Sequence, residues 1–599
     1  MNLVVGITGH RAARLKDENR KRIRRQLAEV FVNIEESCEA ELVRQREFYK
    51  KDPPCLRLVS SLADGADADA LLECPKHWLK VGLLPSPFDQ YRDLLKRTAR
   101  PGWEERAAEE FEEAHRHAQQ ILILPPLRGR DVNGLGRSRD LLLRQIDILV
   151  AVWDGAQAEH AGGTADVVER ATEAGIPVIW IATEKEQPPW VITRVTDAIR
   201  DTPMADATTG AIADVVRREV GVSGDSSHPG EAWNAAAPEA DSEDRLRNFL
   251  QESVPEADEE KKKIADPLLA AFEKDSPFGQ RISDILQPRF VAADRLATKY
   301  ARRYRLAYVS AYLLSAISVL SAVLSFLLFG HNVRDAMPGE EHVSAKLPSG
   351  EIWLAALEFT FVTAIVAIVL NGLRGGWHDR WLDYRALAET LRHLRFLAPL
   401  GQYEKRSYLE AAARPGATWI LWYFRATIRE LGLPAGDLGP DYQRKILRAI
   451  IPGDLDGQIK YHAKNLKLRR RQQRIWHWAG NSCFCVALAT LVTFLGVCWL
   501  APHTSIVVAP YVTAITAFFP ALGAACAGIR FTGDFEGDAE RSAQTGTQLG
   551  LLRLRYEVAL DRLDFDHSTS VVFETARIMA TDINGWSSMY SRKQLCLPG

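Results

Sequence analysis

Four short turns hold most of the chemistry this chain could do. "ITGHR" places Thr8, Gly9, His10 and Arg11 behind a β-branched run, and "SSLADGADADA" (60–70) places Ser61, Asp64, Gly65, Ala66 and Asp67 behind a second. "WDG" then supplies Asp154 and Gly155, and "AGGTAD" supplies Gly162, Gly163, Thr164 and Asp166. Glycine and small hydroxyl residues at a strand-to-helix turn let a phosphate or ribose reach backbone N–H groups at a helix N-terminus, where the dipole favours anions. Tight strand-to-helix connections also need glycine for geometry alone, so the inference rests on three such turns at one edge, at Gly9, Gly65 and Gly162-Gly163. His10 and Arg11 could contact phosphate or cap their turn. These residues are the ligand-binding candidates. No CxxC pair or HExxH motif occurs, and His115-Arg116-His117 sits in a charged helical pattern, so neither a metal ligand nor a catalytic residue is expected.

The elements that must position these turns are legible around them. Strand-like runs at 2–7, 56–62, 80–85, 120–125, 147–153 and 177–182 alternate with helical patterns over 17–36, 66–73, 104–119, 137–145 and 163–174. Short, wholly apolar strands separated by helices predict an α/β domain with a doubly wound, Rossmann-like parallel sheet over 1–185. Ligands bind such sheets beyond the C-terminal strand ends, near the switch in strand order. All four turns fall at those ends.

Composition bounds the partners. The 599 residues carry 75 Lys+Arg against 77 Asp+Glu, so the whole-chain field gives no reason to expect nucleic acid as a partner. Eight cysteines are scattered, four of them in apolar segments, and form no disulfide framework. The N-terminus turns polar after a few residues and lacks the pattern of a cleavable signal peptide.

Four apolar runs dominate the second half: 306–329, 352–373, 482–501 and 506–529. Each has the length a helix needs to cross a hydrocarbon core of about 30 Å. Basic residues mark the same side at all four outer ends: "RRYR" (302–305), "LRGGWHDR" (373–380), "NLKLRRRQQR" (465–474), and Arg530. The expectation is a multi-pass membrane protein, with an α-helical membrane domain of four transmembrane helices in two hairpins and both termini cytosolic. The hairpins read as a degenerate repeat, because Gly372-Leu373-Arg374 and Gly528-Ile529-Arg530 each lead to an arginine eleven positions on, Arg385 and Arg541. Trp381, Tyr384, Leu387, Leu391 and Leu394 recur at helical spacing in an amphipathic segment, 377–397. Glu358, near the middle of the second run, is the membrane-gating candidate, since an ionisable group there usually faces a bundle interior or a water path. Pro510 and Pro520 could kink the fourth run.

Between the sheet and the membrane, "GVSGDSSHPGEAWNAAAPEADSEDRL" (221–246) has linker composition. The segments 258–275 and 283–305 read as coupling helices. The expected organisation is a nucleotide-binding domain at 1–185, linker and coupling helices at 186–300, a first hairpin with its cytosolic helix at 301–400, a cytosolic helical connector at 401–470 and a second hairpin with C-terminal helices at 471–599.

"GITGHR", "SSLADGADADA" and "DILVAVWDG" followed by "AGGTADVVERATEAGIPVIWI" together resemble the SLOG superfamily, Rossmann-like domains that bind nucleotides or nucleotide-derived signals. The resemblance covers about residues 1–185. Its relatives include cytokinin-activating phosphoribohydrolases, with nucleoside deoxyribosyltransferases similar in layout, and these enzymes place a carboxylate after the glycine-rich turn in a GTxxE-like arrangement. Here Val167 stands at that position, with Asp166 one residue early, and a valine cannot act as nucleophile or general base. Hairpin 306–373 with "WHDRWLDYRALAETLRHL" resembles the SLATT domains, bacterial two-transmembrane effector modules, and the second hairpin looks like a divergent copy.

The resemblance implies a membrane effector of a bacterial antiviral defence system. Such an effector senses a nucleotide-derived second messenger and opens or disrupts the inner membrane. Its partners would be that signalling ligand, of identity left open, the lipid bilayer, and an enzyme encoded nearby that makes the signal; no cofactor is expected. Four helices from one chain leave little room for a channel, so a homo-oligomer is expected. The alternative is a membrane-anchored nucleotide-processing enzyme that hydrolyses or transfers an N-glycosidic bond, with Asp166 or Glu169 acting if the turn is displaced.

Overall fold

A computed structural model of the chain describes residues 1–49, 52–125, 132–157, 162–184, 186–192, 209–222, 239–254, 267–273, 276–329, 349–403 and 418–598. Most of the linker 221–246, the stretch 258–266 and the loop after the first span lie outside these residues. The described chain forms two compact units. The first comprises Met1–Ala292, Leu387–Asp456 and Leu551–Ala580, and the second Ala293–Ala386, Gly457–Gly550 and Thr581–Gly599.

The first unit is built on an eight-stranded sheet: β1 (Asn2–Gly9), β2 (Cys55–Ser60), β3 (Leu79–Leu84), β4 (Gln120–Ile123), β5 (Ile148–Trp153), β6 (Val178–Ala182), β7 (Trp190–Ile192) and β8 (Gly436–Asp437). The order is β7-β6-β5-β1-β2-β3-β4-β8, and every pairing is parallel except β6 with β7. Its six long strands are those expected from the apolar runs. Side chains alternate across β1: Leu3, Val5 and Ile7 join one core with Leu27 and Phe31 of α1 (Asp17–Arg44), and Val4 joins the other. The first face is covered by α1, α2 (Ala66–Glu73), α3 (Phe88–Thr98) and α4 (Glu104–His117). The second is covered by α5 (Val132–Gln145) and α6 (Thr164–Glu173), through Leu141, Leu142, Val168 and Ala171.

Strands β1 to β4 therefore run one way across the sheet and β5 and β6 the other. Gly9 of β1 lies opposite Val152 of β5, so the order reverses between these two strands. This is the topological switch of a doubly wound sheet, where adjacent connections leave to opposite faces and open a crevice.

The compact units do not follow the boundaries expected from sequence. Within 186–300, helix Thr209–Val220 is core rather than linker: Ile212, Val215, Val216 and Val220 pack under α1. Within 401–470, helix Thr418–Leu431 buries Arg429 against Asp147, and β8 extends the sheet beside β4. Leu433, Leu438 and Phe565 complete the second face. These segments were expected as a connector or as C-terminal helices, and they belong to the sheet because their apolar and ionic partners lie in it. The described part of 258–275 contains helix Pro267–Ala271, and 283–305 is helical as expected.

The second unit is helical. Among the described residues four helices are long and apolar enough to cross a membrane, carried by Gln287–Phe329, Ser349–Arg374, Asp456–Leu500 and Pro502–Gly533. The last runs unbroken through Pro510 and Pro520. Two of the long helices start from a π-helical turn, Ile282–Leu286 before the first and Ile451–Leu455 before the third. The repeat expected from sequence thus has a shared structural feature at its entry, although Arg385 pairs with Asp294 and Arg541 with Asp538. Helix Trp377–Leu397 forms as expected, with Trp381 and Tyr384 buried along its inner stripe. Spans one and four approach closely, since a Cβ on Gly528 would lie 2.3 Å from Cε1 of Tyr312.

Candidate functional site

A cleft of about 810 Å³ opens at the C-terminal ends of β1, β2 and β5, at the topological switch. Of the candidates, Thr8, Gly9, His10 and Arg11 line it from the first turn and Ser61, Asp64 and Asp67 from the second. Asp154, Gly162, Gly163 and Thr164 line it from the others. Gly65, Ala66, Gly155 and Asp166 are not on its walls.

The centre of the switch is a His10–Asp154 pair. Nε2 of His10 lies 3.1 Å from Oδ2 of Asp154 and accepts from the Asp154 backbone N–H at 3.2 Å. Both contacts follow from the parallel register, which brings the residue after β1 beside the residue after β5. Burial pushes the Asp154 carboxyl up, but the Ala156 N–H and the adjacent His10 outweigh it and hold the group below its ordinary value. The pair sets an imidazole and a carboxylate side by side on the cleft wall.

The glycines divide by function. A Cβ on Gly9 would lie 2.3 Å from Cβ of Ala66 and 2.9 Å from Cβ of Val152, so this glycine lets β1, β5 and α2 close together. Gly65 has φ +85, and a Cβ there would meet Ala12 N at 2.4 Å. Its N–H donates to Glu110 at 2.9 Å, and Ala66 N–H donates to His10 O at 3.1 Å. The α2 N-terminus is therefore closed by protein, and the expected anion approach at Gly65 and Ala66 is corrected: their geometry serves packing. Gly155, at φ +85, lies against Trp180.

The α6 turn differs. Gly163 is the N-cap of α6 with φ −75 and ψ 164, and with Thr164 it faces the cleft. Asp166 accepts from Gly162 N–H at 2.6 Å and pairs with Arg139, so it holds the turn's shape. Val167, where a catalytic carboxylate would stand, is on the cleft wall but only 3% exposed, and it packs in the core. Glu169 is exposed and off the cleft walls.

Arg11 is likewise committed. Its Nε pairs with Asp64, whose other oxygen accepts from Ala12 N–H at 3.1 Å, and its Nη2 donates to Leu95 O at 3.1 Å. It ties the first turn to α3. Leu62, at φ +60, positions the second turn, its N–H donating to Ser60 Oγ at 2.9 Å, and Ser60 Oγ donates in turn to Asp67 at 3.1 Å.

Sequence reasoning missed two walls. Arg97, Arg100 and Trp103 come from "RTARPGW", the last turn of α3 and the basic Pro-Gly turn after it, which was itself a visible signal. Ser138 and Arg139 come from one face of α5, and Ser138 Oγ lies 3.4 Å from Ser61 Oγ. With Arg11 paired to Asp64 and Arg139 to Asp166 and Asp140, the further cations on the walls are Arg14, Arg97 and Arg100, and Trp103 adds an aromatic surface. Cations, a helix N-terminus and an aromatic plane suit a nucleotide's phosphates and base. Among the described residues no cluster of His, Cys, Asp or Glu could hold a metal ion.

Asp67 gives the cleft a pH dependence. Burial pushes its carboxyl up to about 7, against the lowering effect of the Ser60 hydroxyl. Below that value the wall carries a neutral acid; above it a negative charge appears. An anion of fixed charge held in this cleft should bind about three- to tenfold more weakly at pH 8 than at pH 6. Asp67→Asn should flatten the profile, and calorimetric titration at the two pH values checks it.

Comparison with protein families, curated proteins and solved structures finds no match to this chain.

Proposed function

We propose that the chain is a ligand-gated membrane effector: the switch-point cleft binds a nucleotide-derived signal, and the membrane unit then opens or disrupts the bilayer. The observation that supports it most is the arginine-lined 810 Å³ cleft in a chain that also carries four potential membrane spans. An anchor needs one span, not four. The resemblance to SLOG and SLATT modules supports reading it as part of a bacterial antiviral defence system, in the inner membrane with both termini cytosolic and with an enzyme encoded nearby that makes the signal. Four helices from one chain leave little room for a channel, so the effector acts as a homo-oligomer. The test is dye release from proteoliposomes of the full chain on addition of cyclic dinucleotides, cyclic mononucleotides, ADP-ribose or NAD. Release by one of these, absent in Gly163→Trp, is expected; intact vesicles with a ligand demonstrably bound would refute the effector role.

The His10–Asp154 pair favours a second reading, a membrane-anchored enzyme that cleaves or transfers an N-glycosidic bond, with the pair as general base. Conversion of a bound nucleotide to free base would establish it.

A further inference from the structure

The ionisable residue expected inside the membrane, Glu358, is half-buried in helix Ser349–Arg374 and has no hydrogen-bond or ion-pair partner among the described residues. The larger unmatched charge lies at the edge of the apolar runs. In helix Asp456–Leu500, Lys464, Lys467, Arg471, Arg474 and Trp478 recur at spacings of three and four, and all five are exposed. They share one helical face. Lys464, Lys467, Arg470, Arg471 and Arg474 have no hydrogen bond or ion pair among the described residues. Cations turned toward the protein are matched: Arg469 pairs with Asp538 at 3.3 Å, and Lys593 with Asp534 at 3.2 Å.

The fourth span brings another cation to the membrane end of that face. Arg530 directly follows the fourth apolar run, and its Nη1 donates to Nδ1 of His477 at 2.6 Å. His477 lies five residues before the third run, about 7.5 Å outside it at 1.5 Å per residue, so the arginine reaches outward from the hydrocarbon edge to the level of the headgroups. A ring nitrogen that accepts this bond carries no proton, so His477 orients the guanidinium without offsetting its charge. Arg474 stands one turn before His477 on the same helix, and the two spans pack closely nearby, where a Cβ on Gly480 would lie 3.6 Å from Cβ of Cys526. Ile475, Trp478 and Phe531, each next in sequence to Arg474, His477 or Arg530, are exposed. Unmatched guanidinium groups among exposed apolar side chains, at the ends of two spans, complement a molecule with an anionic phosphate and acyl chains. A nucleic acid would satisfy the cations and leave the apolar side chains in water.

We propose that Arg474 and Arg530, the latter oriented by His477, form a headgroup site for an acidic phospholipid at the seam between the third and fourth spans. The site rests on those two helices spanning a bilayer, and not on the effector reading. Lys464 and Lys467, about 27 and 22 Å before the third run, lie beyond the headgroup layer and outside the site.

The test is native mass spectrometry of the full chain in detergent micelles carrying equal amounts of phosphatidylglycerol and phosphatidylcholine with the same acyl chains. Wild type should retain phosphatidylglycerol over phosphatidylcholine by about tenfold, and Arg474→Gln should cut that ratio about fivefold, the effect of one basic residue at a headgroup. Arg474 has no partner in the fold, so this variant keeps its structure. Arg474→Gln/Arg530→Gln should bring the two lipids to parity. Lys464→Gln/Lys467→Gln should keep the wild-type ratio, which a diffuse attraction to the whole basic face would not. Equal retention of both lipids by wild type, or a preference that survives the double arginine variant, overturns the site and leaves the spans in place. A folded chain that retains neither lipid removes the spanning reading together with the site. Displacement of phosphatidylglycerol by excess glycerol 3-phosphate, or binding of a single-stranded oligonucleotide in its place, assigns these cations to a soluble anion or a nucleic acid and overturns the proposal.

Discussion

Replacing Arg429 with methionine should lower the unfolding free energy of the first unit by about 3–5 kcal/mol, the usual consequence of leaving one member of a buried ion pair alone. Arg429 and Asp147 are each 1% exposed, and Nε donates to Oδ2 at 3.0 Å. Asp147 Oδ2 also accepts from Val4 N–H at 2.9 Å, so the carboxylate joins the start of β5 to β1 and to helix Thr418–Leu431. Burial alone would lower the Arg429 pKa, but Asp147 and other neighbours, Glu219 among them, hold it above its ordinary value. The variant leaves Asp147 charged, buried and short of a partner. Arg429→Met with Asp147→Leu should recover only part of the loss, because the Asp147 charge is removed while Glu219 keeps its own and Val4 N–H loses its acceptor. Chemical denaturation of the detergent-solubilised full chain, followed by far-ultraviolet circular dichroism, measures both; a single variant as stable as wild type would contradict the buried pair.

Gly65→Ala should cost about 2–5 kcal/mol, from left-handed backbone strain and overlap together. The left-handed φ of +85 excludes a side chain on conformational grounds, and the new Cβ would meet Ala12 N at 2.4 Å and His10 O at 2.6 Å. Those atoms are backbone and cannot swing aside, so the wall between the first two turns must shift. Gly163→Ala is the contrast. With φ −75 and ψ 164 its backbone suits any residue, and its effect on stability should stay within about 0.5 kcal/mol. Thermal unfolding of the two variants side by side separates them, and equal losses would mean that the two glycines do the same job.

That contrast marks what a sequence can carry. The six long strands and four apolar runs were legible because period and length alone define them. The two short strands, β7 and β8, are three and two residues long and leave no periodicity to detect. All four turns were placed at the right edge of the sheet, yet their glycines look alike in sequence, whether the close neighbour is a ligand or Ala66. Burial of Arg429 was equally hidden, since nothing in "TWILWYFRATIREL" says which charge turns inward. Arg97, Arg100 and Trp103 were readable as a basic Pro-Gly turn, but only the sheet order brings that turn to the switch.

The most direct measurement is binding of the purified full chain in detergent to cyclic dinucleotides, cyclic mononucleotides, ADP-ribose and NAD, with chromatography of the recovered ligand. One of them should bind and be recovered intact. Gly163→Trp, which fills the cleft from a backbone position that tolerates it, should weaken that binding by at least about 100-fold, or about 2.7 kcal/mol. Binding unchanged in Gly163→Trp, or recovery of free base in place of the ligand, would contradict a sensor built on this cleft.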